Sequence, residues 1–87
     1  MSEPKQTNEV RLKCIYGNKV KLQSQRTMET YQFELVTYTE EKLADHKISN
    51  YTKVGRAIWA KEEGAIVNID MFGKGPEAYK IVEIDHA

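Results

Sequence analysis

Apolar and polar residues alternate with period two over the early part of the chain. Val10, Leu12, Cys14 and Tyr16 share one parity, with Arg11, Lys13 and Ile15 between them. The pattern resumes at Val20 and Leu22, with Lys19, Lys21 and Gln23 opposite. Such spacing predicts half-buried strand, because successive side chains of a strand point to opposite faces. Gly17-Asn18 interrupts it, as either a bend or bulge within one long strand or a turn between two short ones. Residues 23–29 are polar and read as a hairpin connection. They lack the Asn-Gly pair of the tightest hairpins, which predicts a longer loop.

Tyr31, Phe33 and Leu35 alternate with Gln32 and Glu34, the cleanest strand signal in the chain. Thr39-Glu40-Glu41-Lys42 opens a polar segment read as one helical turn with Thr39 as its N-cap, and Leu43 and Ile48 are expected to pin that segment to the core. A helix follows. Thr52 is its N-cap, and Val54, Ala57 and Ile58 form one apolar face at i, i+3 and i+4. Gly55 costs about 1 kcal/mol of helix propensity relative to Ala, and its missing side chain permits close backbone approach. Gly64 closes the unit in the left-handed conformation of a helix exit or tight turn. Residues 65–71 read as strand, 73–76 as a turn and 78–84 as the last strand. In that last strand Tyr79 and Ile81 share one parity while Val82 and Ile84 share the other, which a bulge or burial of both faces would explain. The expected architecture is α+β: an antiparallel sheet covered on one face by one short helix.

With 87 residues there is room for one core, assigned to residues 10–87 and preceded by a disordered polar lead-in over residues 1–9. Cys14 is the only cysteine, so no disulfide framework supports the fold. Between Leu12 and Ile15 it reads as a small buried apolar residue in preference to a reactive thiol, and the lack of cysteine pairs suits a reducing cytosol. No apolar run is long enough to span a bilayer, which adds to a cytoplasmic, membrane-free reading. Thirteen basic and thirteen acidic residues balance, which argues against bulk capture of nucleic acid through phosphates. Basic residues lead from Lys5 to Arg26 and acidic ones from Glu29 to Asp45, a polarity that fits a protein partner of mixed charge.

No catalytic set stands out. His46 and His86 lie far apart with no Cys or second His at ligand spacing, so no metal or cofactor is expected. Glu40-Glu41 and Glu62-Glu63 read as solvated turns. The richest stretch is residues 48–64. Arg56 there serves either its own domain or a docking surface, Trp59 is at least half buried, and Tyr51 is an anchor for a partner.

That stretch carries a resemblance. Ile48-Ser49-Asn50-Tyr51-Thr52-Lys53-Val54-Gly55-Arg56-Ala57-Ile58-Trp59-Ala60-Lys61-Glu62-Glu63-Gly64-Ala65 is similar to the pattern Ile-Ser-x-Asn-Ser-Pro-(Ile/Leu)-(Ala/Gly)-Arg-Ala-Leu-(Ile/Leu)-Gly-Lys-x-x-Gly-Asp of the C-terminal domain of GreA/GreB transcript cleavage factors. Tyr16-Gly17 with Val20, the strand around Tyr31-Gln32-Phe33, and Tyr79-Lys80-Ile81 with Ile84 match that family's other elements in order. The resemblance implies an FKBP-like fold that docks on RNA polymerase at the rim of its secondary channel. It places the partner contact at Glu40, Ser49, Tyr51, Thr52, Lys53 and Arg56. The family cleaves backtracked RNA through acidic residues on an N-terminal helical hairpin, and only about nine residues precede the first strand read here. The expectation is therefore a non-enzymatic elongation regulator that binds polymerase. It needs no cofactor and makes no sequence-specific nucleic-acid contact. Tyr51, Thr52 and Lys53 depart from the family's Asn-Ser-Pro. A different protein partner or self-association is thus the alternative, and a prolyl isomerase, from fold alone, a distant third.

Overall fold

The computed structural model describes residues 12–86. The reading of residues 1–9 as a lead-in, and of Val10 and Arg11 as strand, falls outside that range. Five strands form one sheet: β1 (Asn18–Ser24), β2 (Thr30–Leu35), β3 (Lys47–Ile48), β4 (Ile66–Ile69) and β5 (Glu77–His86), in the order β3-β2-β1-β5-β4. One α-helix, α1 (Lys53–Ile58), packs against β4.

The period-two pattern decides which face is buried. Val20, Leu22 and Ser24 of β1 point inward with Leu35 of β2, Val67 and Ile69 of β4, and Tyr79, Ile81 and Ile84 of β5. Ile58 of α1 and Cys14 close the core from the other side. The outer face is polar. Cross-strand register there sets Lys19 between Glu34 and Asp85, and Lys21 pairs with Glu83 at 3.3 Å. This proximity draws the Glu83 carboxyl below its ordinary value, while Glu83 in turn raises Asp85.

The parity break in the last strand is a bulge. Lys21 pairs with Glu83 and Leu22 with Ile81, so Val82 is the extra residue and both Ile81 and Ile84 reach the core. The β1–β2 loop is the longer kind expected. The Ser24 hydroxyl accepts from the Arg26 and Thr27 amides, and Met28 takes a positive φ of 69°.

Four expectations are corrected. The sheet is mixed, because β3 runs parallel to β2 with Glu34 opposite Lys47 and Leu35 opposite Ile48. Residues 36–46 supply the crossover that a parallel return requires. The alternation before Gly17 does not make a continuous strand among the described residues. Lys13 forms a single bridge to Glu62, and Gly17 turns the chain at φ +92°, so the turn and not the bend is realised. The polar turn Tyr38–Glu40 is capped by Thr37 and not Thr39, since the Glu40 carboxylate accepts from the Thr37 hydroxyl at 2.9 Å. Leu43 does not pin the segment. It is 65% exposed, and Ile48 alone of the pair is buried, because β3 carries only Ile48 into the core.

Candidate functional site

The residues singled out from sequence converge on the loop that feeds α1, and hydrogen bonds to Ser49 build it. Ser49 is fully buried. Its hydroxyl donates to Glu41 Oε2 at 2.8 Å, and its amide reaches the same oxygen at 3.3 Å. The Tyr51 amide in turn donates to Ser49 Oγ at 3.2 Å. The Ser49 carbonyl accepts twice, from the Thr52 amide at 3.1 Å and the Thr52 hydroxyl at 2.7 Å. Thr52 completes the cap as predicted: its Oγ1 accepts from the Gly55 amide at 3.0 Å. Gly55 faces this turn. A Cβ placed there would collide with the Ser49 carbonyl oxygen and stand 2.8 Å from Thr52 Oγ1. A side chain at that position therefore goes with a loop held further from the helix.

Ser49 and Thr52 thus shape the loop from inside. The residues they present outward are Tyr51, Lys53 and Arg56, all exposed. Tyr51 is 68% exposed and meets Tyr38, 62% exposed, edge to face at 5.4 Å. On the other flank, Tyr16 packs on the half-buried Trp59 at 4.8 Å and donates its phenol to Asn50 Oδ1 at 2.9 Å. Two aromatic pairs therefore bracket the loop. Among the described residues neither Lys53 nor Arg56 enters an ion pair. Glu40 ends the same short turn that Tyr38 opens and borders a groove of about 260 Å³ shared with Tyr16, Val36 and Lys47.

Tyr38, Glu41, Tyr16 and Asn50 were not found from sequence. Glu41 lies eight residues before Ser49, a spacing with no periodic meaning, and nothing local in the Thr37–Glu40 turn links Tyr38 to Tyr51. Among the described residues no group of three or more His, Cys, Asp or Glu gathers to hold a metal.

The family model described as "Transcription elongation factor, GreA/GreB, C-term" matches residues 7–86. The chain belongs to the GreA/GreB family. Transcription elongation factor GreA of Halorhodospira halophila is 33% identical over 72 residues, covering 83% of this chain and 45% of that protein. GreA of Pseudomonas syringae pv. tomato is 32% identical over 74 residues, covering 85% and 46%. The chain spans about half the length of these curated relatives. The solved GreA/GreB factor from Nitrosomonas europaea superposes with a TM-score of 0.77 at 20% identity, over 92% of this chain and 66% of that one. Gfh1 of Thermus aquaticus superposes at 0.72 with 25% identity, over 79% and 45%. The domain is therefore a GreA/GreB C-terminal domain in both sequence and fold.

One departure from the GreA/GreB pattern has an energetic consequence. The helix exits through Ala60, which holds a left-handed φ of 65° where the family pattern has Gly. A Cβ is disfavoured there. Ala60→Gly is expected to raise stability by about 0.5–1 kcal/mol, seen as a melting temperature higher by about 3–5 °C. A lower melting temperature would show that Ala60 makes contacts worth more than the strain.

Proposed function

We propose that this domain binds RNA polymerase near its secondary channel, as a cytoplasmic regulator of elongation, and does not itself cleave RNA. The observation that carries the reading is the capped Ser49–Thr52 loop, held by Glu41 and Thr52 so that Tyr51, Lys53 and Arg56 face outward on a GreA/GreB framework. A loop locked from inside loses little entropy on docking, which favours affinity. The use made of the carboxylates supports the absence of cleavage. Glu40 closes the turn onto Thr37 and Glu41 holds Ser49, whereas metal-assisted cleavage needs carboxylates converging on one ion.

Immobilised core polymerase should retain the wild-type chain at micromolar concentration and release it on Arg56→Ala or Tyr51→Ala. Stalled elongation complexes incubated with it should keep their transcripts at full length. Shortened transcripts would overturn the non-catalytic part. Tyr51 and Lys53 stand where the family pattern has Asn and Pro, which favours a second reading, a different protein partner. Failure of wild-type retention would select that reading.

A further inference from the structure

We infer that Tyr38 and Tyr51 act as one two-ring anchor, flanked by Lys53 and Arg56, for an acidic protein surface. The inference rests on the polymerase-docking reading and names the chemistry that the partner presents to the loop. Both rings are more than half exposed yet fixed against each other edge to face. The backbone beneath each is fixed as well. Thr37 and Glu40 close the turn that carries Tyr38, and Ser49 accepts from the Tyr51 amide. Large, rigid aromatic side chains of this kind concentrate binding energy at protein interfaces.

Charge selects the partner. Lys21 on β1 is matched within the domain by Glu83, and Arg26 in the β1–β2 loop by Glu77. Beside the tyrosines, Lys53 and Arg56 lie three residues apart on the exposed side of α1 without such a match among the described residues. The carboxylates nearest in the chain, Glu40 and Glu41, already accept hydrogen bonds from Thr37 and Ser49. Tyr51 stands immediately before the Thr52 N-cap, and Lys53 and Arg56 follow it on α1, all three exposed. The anchor and the cations therefore belong to one surface. Carboxylates on a partner complete it, with aliphatic groups seated on the rings. Exposed tyrosines also stack on bases. Two cations and a chain of zero net charge are too few for a phosphate track, however, so the occupant is protein.

The experiment titrates purified core polymerase with the full chain, at low and high salt, using wild type, Tyr38→Ala, Tyr51→Ala, the double variant, and Lys53→Glu/Arg56→Glu. Circular dichroism confirms that each variant is folded. Each tyrosine variant is expected to weaken binding about tenfold. The double variant should weaken it by less than the product of the two, since residues in contact couple. Charge reversal should weaken binding at low salt and flatten its salt dependence. Wild-type binding with unchanged affinity in the tyrosine variants would sink the two-ring anchor and leave polymerase docking standing. No wild-type binding would sink both. Tighter binding on charge reversal, competition by a single-stranded RNA oligonucleotide, or pairing of copies through this face in sizing experiments would each replace the acidic partner with another occupant.

Discussion

Replacing Tyr79 by Ala should destabilise the domain by about 3–5 kcal/mol. Tyr79 is 1% exposed, the largest side chain so completely enclosed among the described residues. It sits in β5 between Ser24 of β1 and Val67 of β4, and its ring meets Tyr31 edge on at 6.1 Å. Truncation removes the transfer energy of the ring and leaves a cavity where three strands meet, which a twisted sheet cannot close by local movement. Domains of this size hold only about 5–10 kcal/mol in total. The expected drop in melting temperature is therefore at least about 12 °C. Tyr79→Phe keeps the ring and should stay within about 1 kcal/mol, because no hydrogen bond from the Tyr79 phenol is formed among the described residues. Thermal and urea unfolding of the two variants together provide the check. A Phe variant as unstable as the Ala variant would mean that the hydroxyl and not the ring carries the site.

Stability should also fall on the alkaline side through Cys14. Burial pushes its thiol from the ordinary 9.0 up to about 11, because the thiolate loses its hydration in the core. The folded pKa lies above the unfolded one, so folding favours the protonated thiol. That contribution is complete below pH 9, where both states are protonated, and is lost as pH rises toward 11. A displacement of this size corresponds to about 2–3 kcal/mol. Urea unfolding at pH 8 and pH 10.5 should show a steeper loss in wild type than in Cys14→Ala, the variant serving to subtract the titration of lysines. Identical pH dependence in the two would show that the thiolate reaches water in the folded state. The same burial should slow alkylation of the native thiol at pH 8 by about a hundredfold through ionisation alone.

The loop around Ser49 shows which parts of the site were legible. Thr52 as a cap, the apolar face of Val54, Ala57 and Ile58, and the outward Tyr51, Lys53 and Arg56 all depend on neighbours within one helical turn, so local spacing reveals them. Glu41 and Tyr38 belong to the same site but arrive from the other end of a crossover. Their partnership with Ser49 and Tyr51 exists only once β3 has paired with β2. In β5 the residues announced a conflict of parity and left two solutions open. Register against β1 chose the bulge at Val82.

From the chain alone came the places of β1, β2, β4 and β5, the burial of Cys14, the capped helix and the likeness to GreA/GreB domains. Each follows from a period of two or about 3.6 or from residue types at fixed spacing. Tertiary structure alone decided that β3 runs parallel, that Ser49 works from inside, and that Tyr38 stands beside Tyr51. These outcomes depend on contacts between segments distant in sequence. Such contacts are set by how the whole chain buries its apolar face, and no local pattern encodes them.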